Sequence, residues 1–419
     1  MPPRKRSPMI LSRAKDHFLM CVMTMFTLLS LPCLSLAGGF ALYEYGARAN
    51  AMGGAVIAEG TDASTVAYNP AAMTQLKGNQ VMAGATVIVP VGNVKAGAQP
   101  EATTVTNYFF PPHAFYVHQA SDKAWFGIGV FSRFGVGTQY SDNWPGRYKV
   151  YNADLATYSI NPNLAFKLTD DLSFAFGVEA LVSSADLRKK IDIGGTEYDM
   201  RMKVDGIGFG YNLALHYTFN PLWSAGLTYH STQRHTDNGR ASYSPEHAVL
   251  QNAPMSLSLT LPASYTLGVA YKPTDKWKFE VDAIYTQWQD YEKLTYSYTK
   301  YPGTGTPRDV DSDKNWRNVW RLQFGGEYKA TDWLALRAGF VWDQDPIRDA
   351  TADYMLPSSD RKIYSTGFGI TQGPVTYDFS VMYLVNNDRS IDSTPNVAGA
   401  SQISDSRAYM GSFSVGYKF

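Results

Sequence analysis

WRNVWRLQFGGEYK, residues 316–329, divides its side chains by parity. Trp316, Trp320, Leu322, Phe324 and Tyr328 share one parity; Arg317, Arg321, Gln323, Glu327 and Lys329 share the other. Successive side chains of a strand point to opposite faces, so this segment has one face for an apolar medium and one for a polar one. Two further segments repeat the pattern. Phe209, Tyr211, Leu213, Leu215, Tyr217 and Phe219 alternate with Gly210, Asn212, His216 and Thr218, and Val375, Tyr377, Phe379, Val381 and Tyr383 with Thr376, Asp378 and Ser380. Past the N-terminal leader no run of apolar residues is long enough for a spanning helix. A chain that spans lipid without helices must close into a barrel to satisfy every backbone group. Aromatic residues near the strand ends fit the two interface girdles of such a barrel.

Turn chemistry sets the strand count. Short turns fall at 121–123, 169–171, 220–221, 273–275, 330–332 and 372–374, rich in Asp, Asn, Pro and Gly. Longer polar connections alternate with them, around 95–107, 140–154, 192–203, 241–254, 300–312, 350–360 and 390–404. Together they predict an all-β, antiparallel transmembrane barrel of about fourteen strands over residues 79–419, with both termini on the short-turn, periplasmic side. The last strand ends in an aromatic carboxyl terminus, Phe419. It resembles the signal that the outer-membrane insertion machinery reads.

The chain of 419 residues carries 37 basic and 37 acidic side chains, with 28 Tyr, 21 Phe and 9 Trp. Such a balance gives no reason to expect nucleic acid as a partner. Residues 1–37 read as a signal peptide: Arg4, Lys5, Arg6, Arg13 and Lys15 precede an apolar stretch, with a small-residue cleavage site at Ser35-Leu36-Ala37. Both cysteines, Cys21 and Cys33, lie within it, so the mature chain has no thiol chemistry. His230, His235 and His247, with Ser231 and Asp237 nearby, have no diagnostic catalytic spacing. Neither a metal motif nor a phosphate loop is present, so no cofactor and no enzyme activity is expected.

Residues 38–78 are neither leader nor strand. Ala47 to Ala58 is rich in small residues, Asp62 can cap a turn, and Asn69-Pro70 reads as N-cap and first helical position before Ala71, with Gly78 as a stop. Helices this short bury little surface and need a container.

The run GFALYEYGARANAMGGAVIAEGTDASTVAYNPAAM, residues 39–73, resembles the hatch of the FadL-type outer-membrane transporters, the OMPP1/FadL/TodX family. Gly39, Phe40 and Asn69-Pro70-Ala71 carry that likeness. Leu261-Pro262-Ala263-Ser264 with the adjoining YTLGVAYKPTDKWKFEVDAIYTQW, and residues 315–347 with the later LPSSDR, are similar to other parts of the family. The resemblance implies a fourteen-stranded barrel filled by its hatch. It implies passive transport of long-chain fatty acids, or of aromatic or alkyl hydrocarbons, with a sideways exit at a kink in the third strand. Ser132-Arg133-Phe134-Gly135 matches the kink region. The expected setting is the outer membrane of a Gram-negative-type bacterium, among its lipid and lipopolysaccharide, with the protein a monomer.

A carboxylate substrate calls for a buried cation. Arg317 and Arg321 share the polar parity, and Arg317 matches a basic position of the fatty acid branch. Arg188 and Lys190 lie near the top of the fifth strand, where the family contributes another basic residue; one of them is expected to face inward. Pairing of such arginines with Glu280, Asp282 and Glu327 is the competing expectation. The connections at 192–203 and 241–254 look short for the family's outer groove, which leaves room for a shorter or aromatic substrate. A porin for small polar solutes, or a barrel serving as an assembly or adhesion partner, are the alternative functions.

Overall fold

The structure, a computed structural model, describes residues 39–419; the expected signal peptide lies outside the described residues. Fourteen antiparallel passes close into one barrel. They are β1 (Asn79–Lys95), β2 (Pro112–Ser121), β3 (Ala124–Phe131, resuming Gly135–Gln139), β4 (Asn152–Lys167), β5 (Leu172–Ile193), β6 (Thr196–Asn220) and β7 (Trp223–His230, resuming Gln233–Ser244). The other passes are β8 (Ala253–Leu261, then Ser264–Tyr271), β9 (Trp277–Thr286, then Lys293–Tyr298), β10 (Arg308–Asp313, then Val319–Lys329), β11 (Leu334–Asp343), β12 (Arg361–Gln372), β13 (Val375–Asn386) and β14 (Ser401–Lys418). The ladder between β1 and β14 closes the wall, from Gln80↔Lys418 to Lys95↔Gln402. Among the described residues no helix is long and apolar enough to cross a membrane.

The parity read from sequence is the parity of the wall. Arg321 and Gln323 are buried toward the lumen while Trp320 is exposed outside. Two aromatic rows mark the edges of the outer apolar belt. Tyr211, Tyr229 and Tyr265 touch in series toward the long-loop end; Trp223 packs on Tyr271, and Trp277 on Tyr328, at the short-turn end. Trp316 departs from the expected pattern. The lower part of β10 begins only at Val319, and the chain before it folds inward, so Trp316 is buried instead of facing lipid. The connection expected at 192–203 is instead a two-residue hairpin. Gly194 and Gly195 take positive φ, and β5 pairs with β6 up to Ile193↔Thr196.

Residues 39–78 fill the lumen. Helix α1 (Ala47–Ala51), helix α2 (Thr65–Tyr68) and a 3-10 turn (Pro70–Gln75) form there, and the Asn69 side chain accepts the Ala71 N–H at 3.1 Å as the expected cap. The wall makes room with lumen-facing glycine. A Cβ at Gly127 would stand 2.4 Å from Met73 Sδ, and one at Gly339 would stand 2.2 Å from the Gly53 nitrogen. Gly127 therefore serves hatch packing rather than a bend in β3.

Carboxylates on β9 hold the hatch. Asp282 Oδ2 accepts the N–H groups of Val56 (3.0 Å) and Ile57 (3.3 Å), and Glu280 accepts that of Ala58. Closer to the short turns, Glu59 meets Lys272 and Lys278, and Arg48 bonds Glu327 at 3.1 Å. Glu327 and Asp378 also pair with Arg337, each at 2.6 Å. The lumen thus holds an ion network, but not the expected pairing: Glu280 and Asp282 serve hatch amides, and Glu327 takes Arg48 and Arg337 instead of the candidate arginines.

Candidate functional site: a kinked wall beside a caged phenylalanine

The break in β3 is a bulge. Before it, Phe131 faces Ser159 of β4; after it, Gly135 faces Ala156. Ser132, Arg133 and Phe134 therefore stand opposite only Thr157 and Tyr158. One extra residue bends a strand and reverses the faces of the residues beyond it. Past the bulge β3 pairs with β4 alone: its ladder with β2 ends at Ala114↔Val130. This leaves an opening in the wall between β2 and the far half of β3. The segment before β2 only partly spans it, through Val105 N–H to Gln139 O (2.8 Å) and a bridge between Phe109 and Ile88.

The start of the hatch lies along this edge. Leu42 donates to Arg133 O at 2.8 Å, Gly135 donates to Phe40 O at 3.0 Å, and Ala41 bridges Phe134. The Phe40 ring enters an aromatic cage. Its centroid lies 4.8 Å from Trp288, 5.7 Å from Tyr291, 5.7 Å from Trp316 and 5.9 Å from Phe134, all edge-on. Gly39 is needed beside it, because a Cβ there would stand 2.8 Å from Trp288.

Phe40 separates two cavities. On the side of the opening is one of 290 Å³, bounded by Leu42, Phe109, Gly135, Gly137, Leu155 and Met410, with Arg321, Arg361 and Arg407 on its wall. On the other side is one of 60 Å³, lined by Leu187, Leu257, Leu259, Tyr291, Leu294 and Trp316, with the Lys314–Asp353 ion pair (2.5 Å) at its edge. Apolar walls with few polar groups suit a hydrophobic ligand.

Two arginines share one acid in the larger cavity. Asp343 accepts Arg321 Nη1 and Arg361 Nε, each at 2.8 Å. The Arg321 guanidinium also stacks over Tyr43 at 4.5 Å, and its buried Nε has no partner among the described residues. Glu44 also approaches Arg321 Nη2 at 3.9 Å, so two guanidiniums face two carboxylates, and the unpaired Nε is the donor left for an anion.

The sequence-derived candidates separate in space. Arg321 lines the cavity, and Arg133, Phe134 and Gly135 form the bulge. Arg317 precedes the lower part of β10 and uses Nε on the Asp345 carbonyl at 3.0 Å, outside the cavity lining. Arg188 and Lys190 share the parity of the lipid-facing Phe176 and Val178, and pair with Asp186 and Asp199 on the projecting hairpin. Neither faces the lumen as expected. Arg361 was missed, although it directly adjoins Asp360 at the end of the LPSSDR stretch; the signal that would have found it is an arginine opening a strand directly after a long loop.

The loop over 344–360 covers the larger cavity with Leu356, Pro357 and Ser358. Burial pushes the carboxyl of Asp345 up to about 6, outweighing Arg389 at 2.6 Å. Burial, then the neighbouring Asp345, pushes Asp360 to about 7. Both groups bind protons more tightly in the folded loop than in the unfolded chain. Their stabilisation is complete below the ordinary value of 3.8 and is lost as pH rises through about 6 and 7. Amide hydrogen exchange over 344–360, corrected for intrinsic rate, should show greater protection at about pH 5 than at about pH 8. Equal protection would remove the titrating pair from the loop's stability.

A family model described as outer membrane protein transport protein (OMPP1/FadL/TodX) matches residues 29–419. The chain belongs to this family. Relatives of the OMPP1/FadL/TodX chain include an Escherichia coli protein named long-chain fatty acid transport protein, 23% identical, with 85% of each chain covered. Among solved structures, a Pseudomonas aeruginosa FadL homologue superposes with a TM-score of 0.81 at 20% identity, covering 91% of this chain and all of that one. The Pseudomonas putida toluene transporter TodX does so at 0.74 and 19%, with the same coverage. As an OMPP1/FadL/TodX member, the chain is an outer-membrane transport barrel for hydrophobic compounds.

Proposed function

We propose that this protein takes up long-chain fatty acids or related hydrophobic compounds, such as alkyl or aromatic hydrocarbons, by passive diffusion. The substrate enters from the long-loop side, passes Phe40, rests in the larger cavity and leaves sideways between β2 and β3 into the outer leaflet. The short-turn end and both termini are periplasmic, and Phe419 is the handle for the insertion machinery. The protein acts as a monomer among lipid and lipopolysaccharide, without catalysis. The observation that carries the reading is the continuity of the apolar cavity with the wall opening at the bulge. The names of the E. coli and P. putida proteins support the two substrate classes. The cage around Phe40 favours a ring as well as an acyl chain.

For an anionic substrate, Arg321 and Arg361 are the head-group residues. Charge-assisted hydrogen bonds contribute roughly 1.5–3 kcal/mol, so Arg321→Gln should weaken binding of a fatty acid about tenfold or more. Binding of an alkylbenzene should stay within about twofold, as no charge is lost to it. Calorimetric titration of both ligands is the check; equal loss for both would remove the head-group role.

A further inference from the structure

We propose that Glu179 is the positioning residue of the lateral exit, holding the β3 bulge in place through Arg133 and tying it to the neighbouring break in β7 through Gln233. The proposal rests on the reading of the bulge as the exit.

Glu179 lies on the lumenal face of β5 and is 2% exposed. Its Oε2 accepts Arg133 Nη1 at 2.7 Å and Gln233 Nε2 at 2.8 Å, and its Oε1 accepts the Ser159 hydroxyl. Arg133 is the central residue of the bulge, and it is also buried. Its guanidinium thus reaches across β4 to β5, while its carbonyl takes the Leu42 N–H of the hatch. Besides the hatch edge, the bulge has few ties to the wall. Phe134 N–H and carbonyl are both served by the Thr157 hydroxyl instead of a ladder partner. A segment out of register with its neighbour is held by side chains, and the strongest of these ties is a buried ion pair.

The second partner stands at another discontinuity. β6 and β7 pair from Asn220↔Trp223 to Asn212↔His230, and again from Asp205↔Asn238 to Asp199↔Ser244. Between them, Gly206 to Tyr211 have no ladder partner on β7. Gln233 leaves this seam to reach Glu179. One carboxylate therefore joins two breaks in the wall, on either side of the β4–β5 pair. Without its charge, the Arg133 guanidinium has no acid partner in the wall and must move to find one. Residues 132–134 move with it, and the edge that carries Leu42 and shapes the opening is lost.

The test uses full-length protein in liposomes, with transfer of a fluorescent fatty acid to the bilayer and its affinity for detergent-purified protein as separate readouts. Glu179→Gln and Arg133→Gln should each slow transfer about tenfold while affinity stays within about threefold. Because both act on one pair, the double variant should be no slower than either single. The swap Arg133→Glu with Glu179→Arg should recover part of the rate, which a general loss of stability would not. Transfer by Glu179→Gln within about twofold of the parent, or single effects that multiply in the double, would overturn the assignment. If Glu179→Gln fails to give a heat-modifiable barrel, Arg133→Gln carries the same prediction alone. A Gly135→Trp control separates the two levels. If it transfers normally, the exit reading fails and this inference with it; if it blocks transfer and Glu179→Gln does not, only the role of Glu179 falls.

Discussion

Gly135→Trp should abolish passage: transfer of a hydrophobic ligand should fall at least about tenfold in a barrel that still assembles. Gly135 stands where β3 resumes after the bulge, and its N–H is held by Phe40 O. A Cβ there would meet Leu42 Cδ1 at 3.1 Å and little else, so the backbone tolerates a side chain with a small shift of the flexible Leu42. An indole added at this point has the mouth of the cavity as its available space. It removes the apolar path without touching the ion network or the wall ladders. The same substitution at Gly137 would be a poorer probe, because a Cβ there would stand 2.2 Å from the Phe109 ring. Transfer at the parental rate with tryptophan at 135 would mean that substrate leaves by another route.

The second large effect is expected at the hatch. Asp282→Ala with Glu280→Ala should turn the plugged barrel into a leaky one. These carboxylates accept three consecutive hatch amides, those of Val56, Ile57 and Ala58, deep in the lumen. A buried N–H left without a partner costs roughly 1–3 kcal/mol, so the hatch turn loses its seat. Water entering the vacated space would satisfy the amides and would also start a polar path past the hatch. Liposome swelling in a small sugar should rise about tenfold or more over the parent protein. No rise would show that Glu59 and Arg48, held by Lys272, Lys278 and Glu327, suffice to keep the hatch in place.

Much of this architecture was legible in the sequence because strand parity and turn chemistry are local signals. The alternation at Arg321 and Gln323 gave the lumenal face, and the Asn69-Pro70 cap gave the last hatch turn. The features that were not legible depend on register. Trp316 and Arg317 extend the same alternation on paper, yet the lower part of β10 starts at Val319, and the irregular chain over 314–318 redirects both. Arg188 and Lys190 share the parity of the exposed Phe176 and Val178, so both turn away from the lumen; the lumenal positions beside them are Leu187 and Lys189. The arginine pair escaped notice for another reason. Arg321 and Arg361 meet through Asp343 only after three strands have been laid side by side. The bulge was expected from the likeness of Ser132-Arg133-Phe134-Gly135 to the family's kink, but the tie that fixes Arg133 comes from Glu179, 46 residues further along the chain.

The central claim is that a hydrophobic substrate leaves through the wall and not through the floor. Photocrosslinking with a diazirine-bearing fatty acid, followed by mapping of the labelled residues, tests it most directly. The account predicts label at Phe109 to Pro111 and at Gly135 to Thr138, around the mouth of the 290 Å³ cavity. Below the hatch lies a vestibule of 680 Å³ bounded by Arg48, Thr61, Lys278 and Glu327. Label concentrated there, with the bulge unmarked, would contradict the account and place the route straight through the barrel.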